Sequence, residues 1–227
     1  MNEDPTPEAL VAALMQPEAY PWRPAAVELI ETHVSWVFLA GDRVVKIKRP
    51  VLYPFVDFRD LASRHRSCRD EVRLNRRLTD DVYLDVVSIV QTAAGVLVGG
   101  PGEPVEWATL MRRLPASGML DAVLRAGATP VELGARLAAR LTPFHRAHCP
   151  PCGMGPDTAA AATQIVSENL AELAPFADAF RGPGQFALAA SAMRAFIAEQ
   201  AALLERRAAE GWIREGHGDL RCEHICL

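Results

Sequence analysis

Hydrophobic and polar positions change rhythm along this chain, and each change marks an element. A short helical pattern, "PEALVAALM", leads into a proline-rich join. Three strand-like runs follow, "AVELIETH", "VSWVFLA" and "RVVKIKR", rich in β-branched and aromatic residues. In the third, strict alternation puts Val45 and Ile47 on one face and Val44, Lys46 and Lys48 on the other. "AGD", Ala40 to Asp42, has the composition of a hairpin turn.

Pro50 and Pro54 bracket a predicted loop, after which the period lengthens to that of a helix over Asp60 to Leu78. Arg64, Cys68, Glu71, Asn75 and Leu78 recur on one side, so Glu71 shares a face with Cys68 and Asn75. "DVVSIV" and "GVLVGG" predict a second hairpin, and "VEWATLMRRL" a further strand running into Pro115. Beyond Pro115 the texture is Ala- and Leu-rich and helical: "LDAVLRAG", "PVELGARLAARLTPFHRAH", "TAAAATQIVSENLAEL" and "FALAASAMRAFIAEQAALLERRAAEG". The last of these reads as an amphipathic, core-packing helix. The pattern predicts an α+β protein in two parts, a sheet lobe over 1–115 and a helical lobe over 116–227.

Composition narrows the function classes. The chain has 227 residues, half of them apolar, enough for a sizeable core. A formal charge of −4 argues against broad nucleic-acid binding but leaves room for a nucleotide or another small anion. The acidic, proline-bearing start has no secretory pattern, and no unbroken apolar run reaches the roughly 18 residues of a membrane span. Five cysteines without a framework fit a reducing compartment, so the expectation is a cytoplasmic protein without a membrane partner.

Candidate chemistry sits in "REGHGDLRCEHICL", Arg214 to Leu227. Asp219, on a tight loop beside Gly218, suits a general base for a hydroxyl. Phosphoryl transfer needs such a base, a cation on the phosphates and oxygen ligands for metal ions. Lys46 on a strand and Glu71 on the following helix are placed to supply and hold that cation. Taken alone, a strand lysine is usually a solvated edge residue, and a helix glutamate a surface charge. Their order along the chain carries the reading: strand lysine, helix glutamate, strand, helices, aspartate loop.

"THVSWVFLAGDRVVKIKRPV", "CRDEVRLNRRL", "DVYLDVVSIV", "EWATLMRRLP" and "HGDLRCEHICL" together resemble the aminoglycoside phosphotransferase-like kinases. The closest likeness is to a bacterial subgroup in which such a domain precedes a P-loop kinase domain. The resemblance covers roughly Thr32 to Pro115 and Gly216 to Leu227. It implies a protein-kinase-like two-lobed fold with ATP in the cleft and Mg2+ as its companion. Lys46 would hold the phosphates, paired with Glu71, with Lys48 as the fallback lysine. Met111, Arg112 and Arg113 would form the hinge strand against the adenine, and Ser35 could donate to a phosphate. Asp219 would be the catalytic base, with His217 and His224 supporting its loop. The partners implied are a nucleotide and a small hydroxylated substrate.

The chain departs from that family in three places. His224 stands where the family carries a metal-binding Asn, and imidazole is a poor ligand for Mg2+. The family's metal-binding Asp on the hairpin after this loop is not reached by Leu227 and no Walker-type GxxxxGK appears, so the expectation is a truncated kinase, with Ile225 to Leu227 as an unpaired first hairpin strand and a P-loop kinase domain as the partner implied for a longer natural protein. The "THVS" link has no glycine. Elsewhere, "HRAHCPPC" offers His145, His148, Cys149 and Cys152 as zinc ligands, but their crowding favours a helix end and a proline-rich turn. The Arg-rich run around Cys68 reads as a solvated helix face. Two classes stay open: an ATP-dependent phosphotransferase, and a kinase-like domain that binds nucleotide or a partner without turnover.

Overall fold

The structure, a computed structural model, describes residues 5–79, 81–147, 158–179, 182 and 184–227. It is mixed α+β and divides into two compact units. The first holds Met1–Thr129 together with Arg221–Leu227, and the second holds Pro130–Leu220. The division therefore falls later than Pro115, and the last seven residues return to the first unit.

In the first unit, α1 (Pro7–Leu14) starts at Thr6, whose hydroxyl accepts from the Ala9 N–H. Then come β1 (Val27–Glu31), β2 (Ser35–Ala40) and β3 (Arg43–Lys48), joined as antiparallel neighbours. Gly41 turns the β2–β3 hairpin with φ +68°, a conformation glycine adopts without strain. The segment predicted as a loop contains a small hairpin, β4 (Leu52–Tyr53) with β5 (Val56–Asp57). Tyr53 and Phe55 stack there at 5.6 Å between centroids. Next is α2 (Leu61–Asn75), capped by Asp60, which accepts from the Ser63 N–H at 2.7 Å.

The strands β6 (Tyr83–Thr92), β7 (Gly95–Val98) and β8 (Pro104–Arg112) complete one six-stranded antiparallel sheet in the order β1-β2-β3-β8-β6-β7. Inserting β8 between β3 and β6 makes the sheet's centre a non-local pairing. One sheet face carries the main core: Leu10, Leu14 and Tyr20 pack on Phe38, Val45, Ile47, Ile89 and Ala108. Helix α2 lies on the other face, where alternation has put Lys46 and Lys48. The unit closes with α3 (Leu120–Arg125) and the returning segment. Leu120 N–H donates to the Ile225 carbonyl at 2.8 Å, and Leu227 N–H to the Gly118 carbonyl at 2.9 Å. Ile225 to Leu227 are thus paired, with Met119 opposite Cys226.

The second unit contains α4 (Pro130–Ala147), α5 (Thr158–Leu173) and α6 (Gln185–Ala209). Helices α5 and α6 pack together, and Glu205 accepts from the Ala159 N–H at 2.7 Å. Among the residues of α6 only Ala190 is buried, while Leu188, Met193 and Phe196 are exposed, so α6 is not a core helix of this unit. Its apolar residues are spread around the helix, and α5 covers only part of them. By length and composition α6 is also the one described helix apolar enough to cross a membrane. Arg194 and Glu199 interrupt its apolar stretch, so it contains no unbroken apolar run of that length.

Candidate functional site

The chemistry that the first unit assembles is centred on one carboxylate. Lys46 and Lys48 project from the same face of β3, two residues apart, toward α2. Lys46 Nζ donates to Glu71 Oε1 at 2.6 Å, and Lys48 Nζ to Glu71 Oε2 at 2.7 Å. On β8, Thr109 is the register partner of Lys46, and its hydroxyl donates to the same Oε2 at 3.4 Å. Glu71 and Lys48 are mostly out of solvent, at 13% and 9% side-chain exposure, while Lys46 keeps 26%. The Lys48 ammonium also lies 5.8 Å from the Phe58 ring centroid.

Burial pushes the Glu71 carboxyl up, but the charges of Lys46 and Lys48 outweigh it and hold the group below the usual carboxylate range. At neutral pH the cluster therefore carries two positive charges and one negative. A net positive charge in a partly desolvated site is an anion-binding feature. Cys68, one turn back on α2, is fully buried and donates to the Trp107 carbonyl at 3.7 Å. Burial raises its thiol above the ordinary range, which makes it packing rather than a nucleophile.

Farther along the same sheet face is a pocket of about 420 Å³, lined by Leu39, Asp42, Val44, Arg113, Leu114, Pro115 and Ala116. Leu39 and Val44 are register partners, and Val44 precedes Lys46 by two residues, so the apolar wall and the cation share one face. The volume is that of an ordinary small-molecule site. Met111 pairs with Val44 at the end of β8. Arg112 is directed elsewhere: its side chain meets Asp81 at 2.6 Å, and its N–H is taken by the Val82 carbonyl. The Arg113 N–H donates to the Asp42 carbonyl at 2.8 Å, and its guanidinium meets Glu28 at 3.0 Å. Of the three residues expected to line the adenine, Arg113 lines the pocket, which continues into Leu114 and Pro115.

Ser35 is not presented to a ligand at the turn between β1 and β2. It is buried, its N–H bonded to Thr32 Oγ1 at 2.9 Å and its own hydroxyl oxygen without a partner, while Thr32 and His33 are the exposed residues of the turn. Thr109 and the buried pair of Arg64 with Glu106 escaped the sequence reading. Alternation in "VEWATLM" places Trp107, Thr109 and Met111 on one face, but only the β3–β8 register brings Thr109 beside Lys46. Arg64 departs from the solvated face expected of the Arg-rich run, since it is buried against Glu106.

The aspartate loop belongs to the second unit, which ends at Leu220. Gly218 has φ +84°, and this left-handed residue lets the Asp219 N–H fold back to His217 Nδ1 at 3.3 Å. The interaction makes Nδ1 an acceptor. Asp219 itself is exposed. In the returning segment, Arg221 Nη2 lies 3.2 Å from His224 Nε2. A guanidinium can only donate, so that ring nitrogen accepts from Arg221 and is not offered to a metal ion. Among the described residues no three His, Cys, Asp or Glu side chains converge as a metal site. His145 has a buried Nδ1 without a partner and lies edge-on to Phe144, while His148, Cys149 and Cys152 lie outside the described residues.

No family model matches the chain, and no solved structure does. It is similar to uncharacterized proteins of Mycobacterium bovis and of two strains of Mycobacterium tuberculosis. Each is 35% identical over 204 residues, which is 88% of this chain. The chain spans 39% of the length of these relatives.

Proposed function

We propose that this chain is the nucleotide-binding part of an ATP-dependent phosphotransferase of the aminoglycoside phosphotransferase-like kind, with a kinase-like two-lobed arrangement, acting on a hydroxyl of a small molecule. The observation that carries the reading is the pairing of strand Lys46 with helix Glu71 at 2.6 Å, in a cluster with one positive charge to spare. The apolar pocket on the same sheet face supports it by offering room for a flat base next to the cation. Lys46 would hold the phosphates, and the walls from Leu39, Val44 and Leu114 would exclude water from the base. Asp219 would accept the proton of the attacking hydroxyl, on a loop that His217 keeps in shape.

Bound ATP would supply the transferable phosphoryl group. Mg2+ fits less well, because the imidazole at position 224 is a poor ligand and is already turned to Arg221. That observation favours a second reading, a kinase-like domain that binds nucleotide without turning it over.

The test is ATP binding and ATP turnover on the same protein, with Asp219→Asn beside it. A phosphotransferase loses roughly 100-fold or more of its turnover in Asp219→Asn and keeps its ATP affinity. Binding with no turnover in either protein supports the second reading, and the absence of ATP binding rejects both.

A further inference from the structure

Two lysines meet one carboxylate here, and they meet it unequally. Lys48 is nearly buried, under the Phe58 ring, on the oxygen that Thr109 also reaches. Lys46 sits on the other oxygen and keeps about a quarter of its side chain in solvent. A buried ammonium that leaves its carboxylate is stranded without hydration, whereas a partly exposed one can turn to another anion at small cost. A single lysine would be neutralised by Glu71. With two, the buried one satisfies the carboxylate and the exposed one keeps its charge.

We infer that Lys48 is a positioning residue that anchors and neutralises Glu71, and thereby leaves Lys46 available to a polyphosphate. The inference rests on the polyphosphate reading above and assigns Lys48 a role distinct from that of a spare phosphate contact. Lys48 acts through Glu71. Without it, Glu71 competes with the ligand for Lys46 and adds an uncompensated negative charge beside the phosphates.

Such a role has a signature in a double-mutant cycle. ATP and inorganic tripolyphosphate are titrated calorimetrically into the full chain as wild type, Lys48→Met, Glu71→Gln, the double variant Lys48→Met/Glu71→Gln, and Lys46→Met, after a thermal melt shows that each is folded. Lys48→Met should weaken binding about tenfold when Glu71 is present, a loss of roughly 1.4 kcal/mol. In the Glu71→Gln background the same change should cost no more than about twofold. Lys46→Met should weaken binding about tenfold or more in its own right.

An equal loss on removing Lys48 in both backgrounds would mean that Lys48 touches the ligand, and the inference fails. No loss in either background would also end it. Should Lys48→Met fail to fold, Lys48→Arg replaces it, because it keeps the charge on Glu71. Binding within about twofold of wild type then supports the positioning role, and a tenfold loss overturns it. A wild-type chain that binds neither ATP nor tripolyphosphate removes the polyphosphate reading itself, an outcome distinct from the others.

Discussion

Arg64 of α2 and Glu106 of β8 form an ion pair at 2.7 Å, with side chains only 10% and 5% exposed. Arg64 Nη1 also donates to the carbonyls of Phe58 at 2.9 Å and Arg59 at 3.0 Å, and Glu106 Oε1 accepts the Trp107 N–H at 2.8 Å. One guanidinium thus joins the segment before α2, the helix itself and the central strand. Since α2 also carries Glu71, this pair fixes the helix that presents the candidate site. Burial pushes the Glu106 carboxyl up, against the pull of the Trp107 amide and of Arg64.

Breaking that pair on one side leaves a charge without a partner in the interior. Arg64→Ala should therefore lower stability by about 3–5 kcal/mol, read by urea unfolding. Replacing both residues, as Arg64→Met/Glu106→Leu, should recover most of the loss, since a buried pair is often no more stable than apolar packing. A single-variant cost below roughly 1 kcal/mol, the level of an exposed pair, would mean that the pair is not desolvated as described.

Glu71 gives a pH dependence with a definite sign. Its carboxyl is held below its unfolded value of 4.5, so it contributes stability that is fully present above that pH and is lost as pH falls through the depressed folded value. Glu71→Gln should cost on the order of 3 kcal/mol at neutral pH, because it strands two cations on one face. The gap between wild type and Glu71→Gln should narrow as pH falls below 4.5. Urea unfolding of both proteins at neutral and acid pH checks this, and a gap that does not change with pH would count against the cluster.

Tyr20 closes the amino-terminal helix onto the sheet. Its hydroxyl donates to the Leu14 carbonyl at 2.6 Å, its ring is fully buried, and burial raises its phenol well above the usual value. Tyr20→Phe should cost about 1 kcal/mol, the loss of one buried hydrogen bond. Tyr20→Ala should cost roughly 3–5 kcal/mol, since it also empties the space against Leu14 and Trp22. Thermal unfolding that ranks the two equally would place the ring outside the core.

Gly118 faces the returning segment at close range. A Cβ there would stand 3.0 Å from Cys226 Sγ and 3.3 Å from Pro115 Cγ. Gly118→Ala should loosen residues 221–227 and cost about 1 kcal/mol, with faster amide exchange at Leu120 and Leu227, whose N–H groups hold the segment. Adding Cys226→Ala should restore both. Unchanged exchange in Gly118→Ala would show that the segment is not held at Gly118.

Much of this protein could be read from the chain because it rests on local rules. Side-chain alternation places Lys46 and Lys48 on one face of a strand, and the helical period fixes which neighbours accompany Glu71. The second hairpin, the helix beginning at Asp60 and the helical texture beyond residue 115 follow from the same periodicities, since each reports on a few consecutive residues. The "HGD" turn was legible for a similar reason, because a glycine at positive φ serves the residues on either side of it.

The tertiary structure decided what depends on residues far apart in sequence. That both lysines hold Glu71 follows from α2 packing on this sheet face, and that Thr109 joins them follows from β8 pairing with β3. Arg64 looks like any other arginine of an Arg-rich helix until Glu106, 42 residues later, draws it out of solvent. The reach of the first unit to Thr129, and the return of residues 221–227 to Gly118 and Leu120, depend on backbone hydrogen bonds that span about a hundred residues. Periodicity tells a residue which way to face; only the folded register decides what it finds there.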